Sequence, residues 1–326
     1  MNYFKETKQL IDERLEEIFK NELDKHPNEL ISNNIKDFIR LSKGGKRIRG
    51  LLVRLGSELT GKKDLAWLDI ACAMEVMQTA ILIHDDVIDN ATTRRGEITI
   101  HAKYKELGLA RSICMGDYGV FLAFKLIGNI EDKDIAADLY RILTNSIYNT
   151  VIGEILDVEL PHSVNPTQEE LNNIYINKTA WYTIIGPLLL GYALTKEDKL
   201  TEDIIDFGIN LGTSFQIKDD IISISEQSAK KDLDSDVLEG KITEMYLYTK
   251  ANTNDKLDGY GDKKATKEQI RLIKKTFKNN GSLAFAEKQA NAFSDKATQA
   301  LHKMDIDSEA KEVLHNLNRL LTTRKA

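Results

Sequence analysis

The sequence predicts an all-α protein, a single-domain bundle of long helices over residues 1–326. Three observations carry this reading. Glycine and proline are scarce, 19 and 4 of 326 residues, about 7% of the chain against roughly 12% in average proteins. No proline falls between Pro27 and Pro161. Apolar residues recur at three-, four- and seven-residue steps along most of the chain, the mark of helices with one buried face.

Taken in order, the opening segment places Phe4, Leu10, Ile11, Leu15, Ile18 and Phe19 on one helical face. Residues 47–60 and 65–89 continue the pattern, and 65–89 is apolar on nearly every face, which suits a helix at the centre of a bundle. Further long helices are expected over 111–129, 133–158, 167–195, 201–225 and 267–303. Breaks are expected at 90–97, at 161–166, and in the polar stretch 252–265, whose glycines read as an exposed loop or short insertion. No fixed-period repeat or low-complexity linker divides the chain, so one domain is the economical reading.

The 45 Lys and Arg against 51 Asp and Glu leave a net charge of −6, which argues against a general nucleic-acid binder with its basic stripe. The 42% apolar and 29% charged content is that of a globular protein. The polar start has no signal-peptide core, and no run of ~18 uninterrupted apolar residues occurs. A cytoplasmic protein without a membrane span is expected. Cys72 and Cys114 have neither a disulfide framework nor zinc spacing, and both sit in apolar contexts that read as buried core.

The sharpest feature is His84-Asp85-Asp86-Val87-Ile88-Asp89 at the end of an apolar helix. Asp85 and Asp89 share a helical face, with Asp86 adjacent. Three carboxylates at a buried helix end are costly unless a cation neutralises them. Carboxylate-only clusters suit Mg²⁺, which keeps several waters and bridges to substrate phosphates. A second cluster, Phe215-Gln216-Ile217-Lys218-Asp219-Asp220, again closes an apolar helical stretch. A pair of such helices facing one cavity could hold several divalent ions and, through them, a diphosphate.

Basic groups stand where a diphosphate would need them. Gly44-Gly45-Lys46-Arg47-Ile48-Arg49 combines glycines, which allow close backbone approach, with Lys46 and Arg49 on one helix face, a point charge and a fork donor. Arg94-Arg95-Gly96 follows the first cluster. Lys178-Thr179 lies in an apolar helix, and Lys231, Asp236 and Lys241 follow the second cluster.

From about residue 40 onward this ordered set resembles the trans-isoprenyl diphosphate synthases, or polyprenyl synthetases. The motifs that carry it are GGKRIR at 44–49, LIHDDVID at 82–89, RRG at 94–96, GEILD at 153–157, Lys178-Thr179, FQIKDD at 215–220 and S-D-x-x-E-G-K-x-T at 235–243. The resemblance implies helices around a deep central cavity of the isoprenoid synthase type, and two diphosphate sites. Gly45, Lys46, Arg49, Gln78 and Arg95 would bind isopentenyl diphosphate, with Arg324 or Lys325 closing from the tail. Arg94, Lys178, Thr179, Gln216, Lys231 and Lys241 would face the allylic diphosphate. Asp85, Asp89 and Asp219 would be the most direct Mg²⁺ ligands and Asp86 and Asp220 close behind, around three ions. The reaction implied is ionisation, condensation and elimination, with Asp85, Asp86, Asp89, Arg94, Lys178 and Asp219 as its catalytic groups. A homodimer is expected by the same resemblance.

Two departures stand out. The second motif commonly ends in a third aspartate, and here that position is Ser223. Position 78 is Gln where His is frequent. Upstream of Asp85 the positions that usually carry bulky floor residues are Ile81 and Ala80, which implies a product of twenty carbons or more; Met74, Met77, Phe121 and Phe124 are candidates for a deeper floor. The alternatives are a terpene cyclase on the same architecture, which would have no use for Lys46 and Arg49, and a non-catalytic partner subunit, which would have lost its aspartates.

Overall fold

The helical period predicted from sequence is realised almost throughout. The structure, a computed structural model, describes residues 2–63, 65–224 and 234–323, and within them the strands are confined to one hairpin, Thr93–Arg94 against Glu97–Ile98. Lys231, Arg324 and Lys325 lie outside the described residues. Two compact units result, residues 1–143 with 187–197, and residues 144–186 with 198–326.

The first unit is built on helices Asn2–Lys25, Glu29–Ser42, Ile48–Glu58, Trp67–Ile88 and Lys105–Gly128. Trp67–Ile88 is its axis, with Trp67, Ile70, Cys72, Met74, Val76, Met77, Ala80 and Ile83 all buried, whereas Cys114, expected in the core, is exposed on Lys105–Gly128. Large side chains of this kind contribute about 1.5–3 kcal/mol each on full burial, which is why a helix apolar all round sits inside. The axis packs against Lys105–Gly128 through small residues. A Cβ on Gly116 would lie 2.0 Å from the His84 ring, and one on Gly119 would lie 2.5 Å from Phe38 and 2.8 Å from Ala80. Trp67–Ile88 and Lys105–Gly128 are also long and apolar enough to cross a membrane by length and composition alone, but 67% and 39% of their most apolar stretches are buried inside the molecule.

The second unit carries the rest of Lys133–Glu159, then Gln168–Ile174, the π-helical Tyr175–Ile185, Thr201–Ser223, Ser235–Glu239, Glu244–Asn252, Lys267–Asn279, Ser282–Lys303 and Ser308–Thr322. Two expected helices are divided. The stretch expected over 167–195 starts at a Thr167 capping box closed by Glu170 and turns π-helical just before Pro187, whose missing N–H cannot continue an α ladder. The stretch expected over 267–303 is cut at Asn280-Gly281, where Gly281 takes φ +89° and the Asn280 side chain accepts from the Ser282 N–H at 3.0 Å. The segment 252–265, expected as an exposed loop, instead lays Leu257, Tyr260 and Ala265 against a core of Val237, Met245, Ile270 and Phe277.

Candidate active site

In the first unit the Trp67–Ile88 helix runs out at the aspartates. Asp89 caps it, its N–H bonding the Asp85 carbonyl at 2.8 Å. Asp85 and Asp89 are half-buried, whereas Asp86 is 2% exposed. Arg94 Nε donates to Asp86 Oδ1 at 2.6 Å. Asp86 Oδ2 is buried with no hydrogen-bond partner. Burial pushes the Asp86 carboxyl above its ordinary value, and Arg94 offsets only part of that. The hairpin that delivers Arg94 turns on Arg95 and Gly96, at φ +55° and +84°, both left-handed as a tight two-residue hairpin requires. A bulky residue such as arginine is rare in that region.

The GGKRIR segment is anchored by a residue that the sequence reading left without a role. Arg47, 7% exposed and left-handed at φ +55°, precedes helix Ile48–Glu58. Its Nε donates to Asp12 at 2.7 Å and its Nη1 lies 3.4 Å from Glu75, which also accepts the Gly50 N–H at 2.9 Å. Lys46 therefore stands before the helix, not on a shared face with Arg49 as the spacing suggested, because the helix starts only after Arg47. Lys46 is exposed and Arg49 half-buried. Gly45 is buried, and a Cβ there would lie 3.3 Å from an Arg47 nitrogen and 3.4 Å from an Arg95 nitrogen. Arg95 is destabilised as a cation by burial first, then by Arg47, Arg94 and Arg49, against Glu75. Arg95 thus stands among three other guanidiniums, of which Arg47 is paired with Asp12 and Glu75 and Arg94 with Asp86. Gln78, on the same helix as the aspartates, holds its Oε1 buried and unpartnered.

The second unit carries the other aspartates around a cavity of about 70 Å³ lined by Asp157, Lys178, Gln216, Asp220, Asp236 and Lys241 among others. A relay of donors fixes it. Thr179 Oγ1 donates to Gln216 Oε1 at 2.6 Å, Gln216 Nε2 donates to Asp220 Oδ1 at 2.9 Å, and the Tyr175 hydroxyl donates to Asp220 Oδ2 at 2.8 Å. Burial, then the charge of Asp236, raises the Asp220 carboxyl to about 8 despite those donors. Asp219 is half-buried. Ser223 donates to the Asp220 carbonyl at 2.8 Å, so its proton is spent within the helix.

Lys178 sits between Glu154 at 2.7 Å and Asp157 at 2.6 Å, and Lys241 lies 3.6 Å from the same Asp157. Burial alone would raise the Asp157 carboxyl, but the two lysines hold it below the ordinary range. Gly153 explains how Lys178 is reached: a Cβ there would meet the Lys178 backbone nitrogen at 2.3 Å. Lys241 follows helix Ser235–Glu239 in a six-to-one cap. Gly240 is left-handed at φ +71°, the Lys241 N–H bonds the Asp236 carbonyl at 3.0 Å, and the Gly240 N–H bonds Val237 at 3.3 Å, the arrangement that glycine permits after a helix. The E-G-K spacing is thus a geometric device for aiming a lysine.

Among the described residues no three His, Cys, Asp or Glu side chains close a metal cage. The donors are carboxylate oxygens only, with one buried oxygen of Asp86 unpartnered. Such an open, hard donor set fits Mg²⁺ completed by water and phosphate oxygens.

A family model described as polyprenyl synthetase matches residues 29–278. The chain belongs to the polyprenyl synthetase family. The geranylgeranyl diphosphate synthase of Sulfolobus acidocaldarius is 32% identical over 291 residues, 83% of this chain and 85% of that protein. A solved geranylgeranyl pyrophosphate synthase, 25% identical, superposes with a TM-score of 0.89 over 100% of both chains. The Corynebacterium glutamicum geranylgeranyl pyrophosphate synthase, solved with isoprenyl diphosphate and magnesium, shares the fold at 23% identity, with a TM-score of 0.86 over 100% of both chains.

Within this polyprenyl synthetase, three side chains escaped the sequence reading of the site. Asp157 was legible only as the end of GEILD. Arg47 stands inside GGKRIR without a role of its own and Tyr175 carries no signal, because the contacts of both are distant along the chain. One floor candidate is corrected: Phe121 is 71% exposed and walls nothing inside its unit. Ala80 is fully buried against Gly119, whereas Ile81 is half-buried one turn before Asp85.

Proposed function

We propose that this polyprenyl synthetase is a Mg²⁺-dependent trans-prenyltransferase. It condenses isopentenyl diphosphate head to tail with an allylic diphosphate, to an all-trans product of C20 or longer. The observation that carries the reading is Arg94 held on Asp86 at the Asp85–Asp89 helix end, with Arg95 next to it among Arg47 and Arg49, since anionic and cationic groups side by side suit a diphosphate with its metal.

In this reading Asp85, Asp89 and Asp219, the more open members of each cluster, hold Mg²⁺ directly. Asp86 and Asp220 stand behind them, pinned by Arg94 and by Tyr175 with Gln216. Lys46, Arg49, Gln78 and Arg95 bind isopentenyl diphosphate beside Gly45. Arg94, Lys178, Thr179, Gln216 and Lys241, with Lys231, bind the allylic diphosphate. Mg²⁺ held there, three ions in this reading, would neutralise charge on the leaving diphosphate. Arg94, Lys178 and Lys241 stabilise the same charge as the allylic C–O bond breaks. The isopentenyl double bond then attacks the carbocation, and the departed diphosphate takes the proton released. Apolar helix faces keep out water that would quench the cation.

We read residues 1–326 as one synthase domain. Exposed apolar residues support a homodimer: Leu109, Ile113 and Phe121 on Lys105–Gly128, and Tyr148, Val151, Ile152 and Ile155 on Lys133–Glu159, the latter at helical spacing. We read the long apolar helices as core and interface in a cytoplasmic enzyme.

Incubating the purified chain with Mg²⁺, isopentenyl diphosphate and C5, C10 or C15 allylic primers, with chromatography of the products, tests this. Polyprenyl diphosphates of C20 or longer are expected. Hydrocarbon released without isopentenyl diphosphate would mean a cyclase, and turnover only with an added partner subunit would mean a non-catalytic chain.

A further inference from the structure

We infer that Tyr260, carried by the 252–265 segment, is a positioning residue for Lys241. The inference rests on the reading that Lys241 faces the allylic diphosphate. Lys241 occupies a short link between helices Ser235–Glu239 and Glu244–Asn252, with no ladder of its own. Its backbone is held at both ends instead. Its N–H is taken by Asp236 within the cap, and its carbonyl accepts the Tyr260 hydroxyl.

The next residue adds a second tie. The Gly261 N–H donates to the Val237 carbonyl at 2.9 Å, so Val237 serves both its own cap and the strap. The two backbones touch glycine to glycine: a Cβ on Gly240 would lie 2.8 Å from Gly261 Cα. The Tyr260 ring is fixed in turn, stacked on Tyr246 at 5.1 Å and edge-on to Phe277 at 6.0 Å.

A hydroxyl aimed by two aromatic neighbours at the Lys241 carbonyl, and also hydrogen-bonded with the Thr243 side chain in the same link, constrains the backbone orientation from which Lys241 reaches the cavity. Lys241 is 24% exposed beside Glu239 at 3.4 Å and Asp157 at 3.6 Å, so a rotated link would exchange its place over the cavity for a different carboxylate contact. Tyr260 is thus a device for lysine orientation, set outside the motifs that name the site.

Tyr260→Phe keeps the ring packing and deletes the hydroxyl. Steady-state kinetics with both substrates varied, together with a thermal melt, are expected to show kcat/KM for the allylic diphosphate falling about five- to tenfold, the scale of one lost hydrogen bond. KM for isopentenyl diphosphate should stay unchanged. In a Lys241→Met background the same substitution should cost less than about twofold, because the group it positions is gone. Gly261→Ala, strained by its left-handed φ of +76°, loosens the strap without touching the hydroxyl and should give a smaller loss of the same kind. A Tyr260→Phe enzyme with parental kinetics beside an impaired Lys241→Met enzyme overturns the positioning role and leaves the site reading intact. Parental turnover of Lys241→Met overturns the site reading itself. Equal costs of Tyr260→Phe in both backgrounds place its effect elsewhere and also refute the inference.

Discussion

Asp157 is the carboxylate on which two cations depend, and its replacement by Asn separates folding from ligand binding. In the free protein Lys178 lies 2.6 Å and Lys241 3.6 Å from it, with side-chain exposures of 25%, 24% and 12% for the two lysines and Asp157. Removing one partner of a fully buried pair costs about 3–5 kcal/mol. Lys178 retains Glu154 at 2.7 Å and some water reaches all three groups, so about 2–3 kcal/mol is expected. That corresponds to a fall in melting temperature of roughly 3–5 °C. A bound diphosphate supplies the charge that the carboxylate gave up, so the variant should recover more of its melting temperature on adding inorganic diphosphate and Mg²⁺ than the parent gains. Calorimetric melts of both proteins with and without diphosphate measure this directly. A variant that melts with the parent would show that Asp157 is not holding the lysines. A variant that is destabilised but gains no more from diphosphate than the parent would show that the lysines do not face the anion.

Other outcomes follow from the same geometry. Asp85→Ala should lower kcat by at least about 100-fold by removing a direct metal ligand, and steady-state turnover near the parental rate would misplace the metal site. Ala80→Phe should destabilise by about 1–3 kcal/mol through overpacking against Gly119 and Phe38, read by denaturant unfolding. Ile81→Phe, on the side of the half-buried Asp85, is the variant expected to shorten the product, read by chromatography. Asp37 is buried and would ionise less readily for that reason, but donors from Lys103 at 2.7 Å and Tyr104 at 2.6 Å outweigh burial and hold its carboxyl below the ordinary range. A lowered folded value stabilises above the unfolded value and is lost as pH falls through the folded one. Asp37→Asn should therefore cost about 1.5–3 kcal/mol at pH 7, with the gap to the parent closing below roughly pH 4; a gap that persists in acid would point to packing.

Sequence alone determined the helical class, because long stretches at a 3.6-residue period with few glycines and prolines have no other way to bury one face. It also marked the candidate site residues, since DDVID and FQIKDD place carboxylates where an apolar helix ends, where charge needs a partner, and GGKRIR and RRG supply cations. Tertiary structure decided how those charges are used. Asp85 and Asp86 are neighbours in the chain, yet one is half-buried and the other sealed under Arg94. Helical periodicity sets the angle between two side chains but not which of them meets a guanidinium eight residues on. The left-handed Arg47 and the Asn280-Gly281 break were invisible to periodicity because each is a single backbone state held by distant contacts. The segment 252–265 reads as polar loop by composition, and its burial of Tyr260 follows from a carbonyl at Lys241 and a ring at Phe277 that no local pattern encodes. Local free energy wrote the elements, and the few hydrogen bonds that cross between them aimed the chemistry.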